Sequence, residues 1–255
     1  MVSGILLGCA KQQRQGLTIE NGVLSVGVEI GYPPMEYFDS DGKTLIGFDI
    51  QLTKALAQKL GLEVKYIDVA WEGILAGLQT RKYDVAVNVT ITPERQKAFN
   101  FTKPYIDSSM AMVIHKDSSV RIEKPEDIEG YGVAYQSETT AQYFTEKLKS
   151  QGLKFTSYAY DKVMNCFDDL LLQRVDLVVV DSLVASYYAG KENSPFIIAW
   201  QGPTDEAIGM CLKHGNDELT AALDAALDEL FADGTMLRIS QEVFNRDMVS
   251  SVRKQ

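Results

Sequence analysis

The sequence predicts an α/β fold built from two lobes, and three observations carry this prediction. From about residue 20 onward, short runs rich in β-branched residues alternate with segments of helical periodicity, a pattern typical of mostly parallel sheets flanked by helices. The same alternation restarts near Tyr131. A helical segment remains after the second block, so we expect the chain to return to the first lobe and to cross between the lobes more than once.

The first block begins with a β-branched strand that ends in a turn at residues 31–34. Gly61 ends the first helix, because glycine adopts the left-handed conformation that stops helices. Thr92 and Pro93 open a short helix as its N-cap and first residue, where the missing N–H of proline costs nothing. The predicted elements are strands over 24–29, 63–67 and 84–89, helices over 49–60 and 71–78, and the helix that begins after 92.

The second block contains a strand over 175–180 that is almost entirely Val and Leu, which predicts burial on both faces. The other predicted elements are strands over 131–135 and 154–158 and helices over 139–149, 161–173, 217–233 and 236–244. We place the crossings near residues 108–114 and 199–206. The predicted lobes are then 21–110 with 204–255 (lobe 1) and 111–203 (lobe 2).

Composition and charge exclude several classes of protein. The 255 residues are 45% hydrophobic and 24% charged, as in soluble globular proteins. The net charge of −10, without a Lys/Arg-rich run, argues against nucleic-acid partners, and no apolar stretch approaches the roughly 20 residues needed to span a bilayer. His115 and His214 are isolated and predicted to lie at the surface. Cys166 and Cys211 lack metal-ligand spacing and are expected to be free thiols in different lobes, so no metal or cofactor is predicted.

The N-terminus carries a separate signal. A short apolar run over residues 4–9 ends at Cys9 and is followed by polar residues. This pattern resembles a bacterial lipoprotein processing box, in which cleavage precedes a cysteine that carries lipid, so Cys9 is the candidate lipidation site. The run is short and lacks a basic segment before it. We therefore interpret residues 1–20 as a truncated leader, with a disordered tail as the alternative.

Candidate ligand contacts follow from the predicted topology. In open parallel sheets, ligands bind beyond the carboxyl ends of the strands, where loops and helix N-termini converge. The polar and aromatic residues at those positions are Glu29, Tyr32, Trp71, Asn88, Thr90 and Arg95 in the first block, and Gln136, Ser137, Thr139, Thr140 and Asp181 in the second.

These side chains suit a free α-amino acid. Arg95 offers a planar two-pronged cation for a carboxylate, and Thr90 and Thr140 offer further donors. Asp181 and Asn88 offer acceptors for an ammonium group. The aromatic candidates offer flat faces to the ligand side chain, with cation–π attraction if that side chain is positive.

Each candidate also has an interpretation without a ligand. Arg95 can be a surface residue of its helix, paired with Glu94 or Asp84. Asp181 can cap the helix that follows it, and the aromatic side chains can belong to the core. Ser137 and Thr139 can be ordinary helix caps. From the residues alone, the sequence therefore predicts only a two-lobed α/β protein with a cleft between its lobes.

Several segments match the signature of one known family, in the right order from about residue 22 to 245. They are GFDIQLTKALA (47–57), YPPMEY (32–37), WEGIL (71–75), TITPER (90–95), FTKPY (101–105) and ADGT (232–235). These segments resemble the bacterial polar-amino-acid-binding proteins of ABC transporters, extracellular solute-binding protein family 3. The resemblance implies a periplasmic-binding-protein (venus-flytrap) fold with two hinge crossings.

The resemblance also implies a role for each matching position. It assigns the ligand α-carboxylate to Arg95, Thr90 and Thr140, the α-ammonium to Asp181, and the ligand side chain to the space between Tyr32 and Trp71. The position of Glu29 commonly holds an acid that meets a distal positive group. Gln51 departs from the acidic residue of the signature, and Asn88 stands where many members have Gly or Ser. Gln136 is a further candidate whose partner the sequence does not reveal.

The expected ligand is a basic amino acid. A buried Glu29 beside aromatic faces is costly unless a positive group meets it, which favours arginine, then lysine or ornithine. Cystine is the alternative, because its second ammonium can meet the same carboxylate. The implied partners are the free amino acid and the permease of an ABC importer. The chain is expected to act as a monomer at the periplasmic or extracellular face of the cell membrane, touching the membrane only through lipid on Cys9.

Two other classes of protein remain as alternatives. A cyclohexadienyl or arogenate dehydratase-like enzyme shares this scaffold and would use Glu29 or Asp181 as its general acid. The pairing of Arg95 with Asp181, which suits a free amino acid, disfavours the enzyme, so no catalytic residue is predicted. A ligand-sensing receptor domain is disfavoured because the chain carries no membrane span or signalling module.

Overall fold

The computed structural model describes residues 16–252, and the candidate lipidation site Cys9 lies outside them. Strands and helices alternate along this part of the chain. The strands are β1 (Val23–Val28), β2 (Tyr37–Phe38), β3 (Leu45–Ile46), β4 (Glu63–Asp68), β5 (Val85–Thr90), β6 (Phe99–Phe101), β7 (Ile106–Ser108), β8 (Met110–His115), β9 (Gly132–Gln136), β10 (Thr156–Tyr160), β11 (Leu177–Asp181), β12 (Phe196–Gln201) and β13 (Glu206–Lys213). The helices are α1 (Phe48–Leu60), α2 (Trp71–Gln79), α3 (Pro93–Gln96), α4 (Thr140–Ser150), α5 (Val163–Leu171), α6 (Ser182–Ala189), α7 (Asp217–Ala232) and α8 (Thr235–Phe244), with a 3-10 turn at Pro125–Ile128.

Two large sheets form the two lobes. The first sheet has the order β4–β1–β5–β13–β6, and β7 also pairs with β13. Within it β1 is parallel to β4 and β5, whereas β13 is antiparallel to its neighbours. The second sheet has the order β10–β9–β11–β8–β12, with β9 parallel to β10 and β11, and β8 antiparallel to β11 and β12. The sheets are therefore mixed, because each adds antiparallel strands to the predicted parallel ones.

The chain passes between the two sheets through two short links. Ser109 alone separates β7 from β8, and residues 202–205 separate β12 from β13. The predicted crossings near 108–114 and 199–206 were too long, because most of their residues belong to β8, β12 and β13. The links lie side by side, since Gln201 Nε2 donates to Ser109 Oγ at 3.0 Å.

Helices cover both faces of each sheet. In the first lobe α1, α7 and α8 pack around one buried cluster, and α2 packs around another that contains the ring of Tyr83. In the second lobe α5 and α6 bury Phe167 on one face, and α4 packs on the other. The central strand β11 is buried along four of its five residues, which confirms the prediction from its Val/Leu run.

The predicted leader or tail was drawn too long. Residues 17–20 pack on the first lobe, where Leu17 is buried in the core. The N–H of Ile19 donates to Asp84 Oδ1 at 2.7 Å. A buried leucine and a paired backbone donor hold this segment on the fold, so the first lobe begins before residue 21.

The predictions for histidine and cysteine had different outcomes. His115 was predicted at the surface, but it is 8% exposed because it ends β8, a buried strand that was interpreted as a crossing. Cys166 on α5 and Cys211 on β13 are both free and buried, which confirms the predicted free thiols. Within residues 16–252, no cluster of three or more His, Cys, Asp or Glu side chains has the geometry to hold a metal ion.

The start of α1 requires glycine. Gly47 is the residue before the helix and has φ +126°, and a Cβ added there would overlap the carbonyl oxygen of Met35. This close approach allows the amides of Phe48 and Asp49 to donate to the carbonyls of Pro34 and Met35 at 3.0 and 3.1 Å. The helix ends as predicted at Gly61, whose φ is +71°. The loop after β1 is thereby fixed to α1.

Replacing Gly47 with alanine is expected to lower the free energy of unfolding by about 3 kcal/mol, because positive φ and backbone overlap add. Urea denaturation measures the change. Gly42→Ala is the matched control, since Gly42 has φ +66° but no atom within 4 Å of an added Cβ. It should cost only about 1 kcal/mol. Equal losses in both variants would contradict the role assigned to the contact with Met35.

Candidate functional site

One cleft between the lobes brings together all of the predicted ligand contacts except Ser137. It lies beyond the carboxyl ends of β1, β5, β9 and β11, where the rule for parallel sheets places a ligand site. Its wall contains Glu29, Tyr32, Trp71, Asn88, Thr90 and Arg95 from the first lobe and Gln136, Thr139, Thr140 and Asp181 from the second. Ser137, from the wider set of candidates, is not part of the wall.

Arg95 is a buried cation in this wall. Thr92 caps α3 by accepting the backbone N–H of Arg95 at 3.2 Å, and Pro93 is the first helical residue, as predicted. The guanidinium donates to the carbonyl of Thr90 at 3.0 Å and lies 5.5 Å from the ring centroid of Trp71. Arg95 is only 8% exposed, and this burial lowers its pKa.

The alternative of a surface Arg95 paired with Glu94 or Asp84 is wrong. Glu94 pairs with Lys97 at 2.8 Å, and the carboxylate of Asp84 accepts backbone N–H groups. Within residues 16–252, no carboxylate lies within ion-pair distance of the Arg95 guanidinium. A buried cation without a counter-ion is costly unless an anion meets it, so this group can act as an anion receptor.

Asp181 serves both lobes at once. Its Oδ1 accepts the N–H groups of Leu183 and Val184, each at 3.0 Å, so it caps α6 as the alternative interpretation proposed. Its Oδ2 accepts the hydroxyl proton of Tyr32 from the other lobe. Burial raises the pKa of Asp181, and the hydrogen bonds oppose that rise. Capping and a position in the cleft are therefore compatible for this residue.

Glu29 and Gln136 join the lobes at another point of the cleft. Gln136 Nε2 lies 2.8 Å from both carboxylate oxygens of Glu29 and 2.9 Å from the carbonyl of Asp161. Glu29 is 4% exposed. Burial raises the pKa of Glu29 to about 7, against the opposing effects of the Gln136 hydrogen bond and of Lys162. With a pKa of about 7, Glu29 is a buried acid whose ionisation changes when a charged group comes close to it.

The N-terminus of α4 points backbone donors toward the cleft. Thr140 is the first helical residue, and Thr139 precedes it. The hydroxyl of Thr139 donates to the carbonyl of Gln136 at 2.7 Å and does not cap the helix. N–H groups at an uncapped helix start favour an anion, so Thr140 is suitably placed to help bind a carboxylate.

Two acids near the cleft were missed by sequence reasoning. Glu36 lines the wall and is 3% exposed. Glu206, the first residue of β13, interacts electrostatically with Arg95 and Asp181, and burial raises its pKa to about 7. Glu36 lies inside the YPPMEY segment but had no visible partner. Glu206 fell within a predicted crossing, so no sequence pattern placed it near the site.

The balance of charge along the wall defines what the cleft can bind. Among the lining residues, all within the described part of the chain, Arg95 is the cation, and Glu29, Glu36 and Asp181 are acids. A ligand with one carboxylate and more than one positive group matches this arrangement. The aromatic rings of Tyr32 and Trp71 complete the wall with flat apolar surface.

Two mixed α/β lobes, two adjacent links and a charged cleft between the lobes define a two-lobed binding protein of the venus-flytrap class. The family model of bacterial extracellular solute-binding proteins, family 3, matches residues 24–246. The chain belongs to this family, which confirms the resemblance carried by its sequence segments. No helix in residues 16–252 has the length and apolar character needed to cross a membrane.

The chain is similar to curated proteins and solved structures that bind amino acids. It is 31% identical over 230 residues to the L-cystine-binding protein TcyJ of Escherichia coli (strain K12), covering 90% of this chain and 85% of that protein. It is 30% identical over 227 residues to the ABC transporter arginine-binding protein 1 of the same strain, covering 87% and 90%. An ancestral arginine-binding protein bound to arginine superposes with a TM-score of 0.82 at 35% identity, covering 88% and 99%.

Proposed function

We propose that this chain binds a free basic amino acid in the cleft and delivers it to an ABC-type importer. Arginine is the first candidate, followed by lysine and ornithine. The main observation behind this proposal is the buried guanidinium of Arg95. It forms no ion pair with a carboxylate of the described residues. A ligand carboxylate supplies the anion that Arg95 lacks, through a bidentate charge-assisted contact.

The wall suggests one orientation of the ligand main chain. The α-carboxylate meets Arg95, with the hydroxyls of Thr90 and Thr140 as further donors. The α-ammonium meets Asp181, and Asn88 offers an additional acceptor. Arg95 on one lobe and Asp181 on the other thereby bind the two opposite charges of one zwitterion.

The remaining wall residues suggest a basic ligand side chain. It runs between the rings of Tyr32 and Trp71, and its positive end meets Glu29. Gln136 holds the Glu29 carboxylate from the other lobe. Because burying an unpaired carboxylate is unfavourable, a cationic ligand stabilises this end of the cleft.

Closure of the lobes is the proposed mechanism of capture. Contacts from Tyr32 to Asp181, from Gln136 to Glu29, and from Trp71 Nε1 to the carbonyl of residue 138 at 3.0 Å already join the two walls. Lobe 1 is proposed as the segments that carry the first sheet, from residue 17 to β7 and from β13 onward, and lobe 2 as the segment from β8 to β12, with the two short links as the hinge. A ligand that contacts both lobes favours the closed population, which a transporter can recognise.

Cystine is the second candidate ligand. The similarity to the cystine-binding protein TcyJ favours it. Its second ammonium can meet Glu29 in place of a guanidinium or lysine side chain. Arginine and cystine therefore use the same receptors for the main chain and differ only at the distal end.

Isothermal titration with the twenty standard amino acids, ornithine and cystine tests the proposal. We expect arginine to bind most tightly, with micromolar or tighter affinity, since several charge-assisted hydrogen bonds of about 1.5–3 kcal/mol each exceed the cost of ordering. Tightest binding of cystine would select the second candidate. Tightest binding of glutamine or of an acidic amino acid would contradict the role given to Glu29.

Arginine binding is expected to weaken as the pH falls below about 7. Burial raises the pKa of Glu29 to about 7, so this carboxylate becomes neutral as the pH falls through that value. A bound cation favours the ionised form, so the affinity should fall by up to about tenfold per pH unit below this pKa. Calorimetry between about pH 5 and pH 8 measures the slope.

Glu29→Gln is the control for the pH dependence. It should bind arginine weakly and show a flat profile, because glutamine keeps the shape but does not titrate. Asp49 and Glu206 also have pKa values raised to about 7 by burial. A Glu29→Gln variant with the wild-type slope would show that one of these groups governs the titration.

The proposed location follows from the proposed role. A protein that delivers an amino acid to an importer acts in the periplasm or at the extracellular face of the membrane. The transporter permease is its proposed partner, and we propose that it works as a monomer. The anchor proposed at Cys9 lies outside the described residues.

A further inference from the structure

Glu36 and Asp49 form a buried pair of carboxyl groups next to the cleft. Glu36 is 3% exposed and Asp49 is fully buried, and Glu36 also belongs to the cleft wall. The backbone holds them in place. The amide of Asp49 donates to the carbonyl of Met35 at 3.1 Å, and the carbonyl of Glu36 accepts the amides of Gly31 and Tyr32 at 3.0 Å. Their position is fixed by the same loop that carries Tyr32.

Burial of two neighbouring carboxyl groups favours a proton held between them. Three of the four carboxyl oxygens of the pair, Glu36 Oε2 and both oxygens of Asp49, have no hydrogen-bond donor among the described residues when both groups are taken as ionised. Burial is the main cause that raises the pKa of both groups, that of Asp49 to about 7 and that of Glu36 well above its usual range. A proton on Glu36 directed at Asp49 removes the like-charge repulsion and gives Asp49 a donor.

The pair also connects to the backbone of the cleft wall. The hydroxyl of Tyr105 lies beside Asp49, whose charge adds to burial in raising the pKa of Tyr105. The same hydroxyl accepts the backbone N–H of Asn88 at 2.9 Å. Asn88 has φ +56°, so its left-handed backbone is held by this contact. A continuous set of contacts therefore runs from Glu36 through Asp49 and Tyr105 to Asn88.

We propose that Glu36 is a specificity-determining residue of the cleft, whose neutral carboxyl donates to Asp49 through one oxygen and accepts a hydrogen bond from a ligand nitrogen at the other. This inference rests on the proposed amino-acid binding. Glu36 lines the cleft, and within residues 16–252 its carboxyl has an oxygen that is buried without a donor, so the group can accept a hydrogen bond that the protein does not supply. A neutral acceptor selects ligands rich in N–H groups, such as a guanidinium, without adding repulsion between carboxylates.

Three variants titrated with L-arginine at neutral pH test the inference. Glu36→Gln keeps both a donor toward Asp49 and an acceptor oxygen, so its affinity should stay within about threefold of the wild type. Glu29→Gln, which removes an acid proposed to be ionised when ligand is bound, should weaken binding more than tenfold. Glu36→Met removes the acceptor and should weaken binding about tenfold or more. Wild-type affinity in Glu36→Met, or equal losses in Glu36→Gln and Glu29→Gln, would overturn the inference.

Difference infrared spectroscopy provides a measurement that does not depend on the folding of Glu36→Met. Adding L-arginine to the wild-type protein about one pH unit above the pKa of Glu29, where Glu29 is mostly ionised, should shift the carbonyl band of a protonated carboxyl, and Glu36→Gln should lack that shifting band. No shift on binding would overturn the inference. A wild-type protein that binds no amino acid would instead refute the proposed function.

Discussion

Replacing Arg95 with alanine is expected to weaken amino-acid binding by roughly a thousandfold, which places it beyond calorimetric detection for a micromolar ligand. The proposed bidentate contact contains two charge-assisted hydrogen bonds of about 1.5–3 kcal/mol each, and the variant loses both. Titration with arginine measures the loss. The unfolding free energy should change by only about 1 kcal/mol, because the lost contacts with Thr90 and Trp71 are offset by removing a buried unpaired cation.

Arg95→Lys is the matched variant for this experiment. Lysine keeps the positive charge but lacks the planar fork, so its affinity should lie between those of the wild type and of Arg95→Ala. Circular dichroism and urea denaturation establish that each variant is folded. Micromolar binding by a folded Arg95→Ala protein would contradict the assignment of the carboxylate receptor.

Replacing Asp181 with asparagine is expected to weaken binding by about a hundredfold while the lobe stays folded. Asparagine caps helices as well as aspartate does, so the contacts with the amides of Leu183 and Val184 persist. The variant loses the negative charge that meets the α-ammonium, a contact of about 1.5–3 kcal/mol, and it places an amide near a cation. Calorimetry measures the affinity, and thermal unfolding measures stability.

Asp181→Ala separates the two functions of this residue. It loses the cap as well as the charge, so it should reduce the free energy of unfolding by about 1 kcal/mol more than Asp181→Asn does. Both variants should bind ligand weakly. Wild-type affinity in Asp181→Asn would move the ammonium site to another acid, such as Glu206, which interacts electrostatically with Asp181 and Arg95.

The helices and parallel strands were predictable because their sequence patterns are local. Helical periodicity, the glycine at position 61 and the Thr92 cap mark elements that the structure contains. The antiparallel strands β8, β12 and β13 carry no such local mark. Their pairing joins residues far apart in sequence, so most of β8 and half of β12 were interpreted as crossings between lobes, and β13 after its first residue was not predicted.

The position of the site was predictable, but its electrostatics were not. Strand ends and helix starts identified the wall residues, since topology brings these positions together. For Arg95 the sequence could not decide between a paired surface residue and a buried one. That choice depends on Glu94, which turns toward Lys97. The burial of Glu36 against Asp49 likewise depends on how the loop after β1 packs on α1.

Cys166 and Cys211 give each half of the protein its own chemical reporter. Both thiols are fully buried, and burial raises the pKa of each, that of Cys211 to about 12. Alkylating reagents attack the exposed thiolate, so each cysteine reacts only when the lobe that contains it unfolds locally. In a Cys9→Ser background, the two modification rates therefore compare the local unfolding of the two halves within a single molecule.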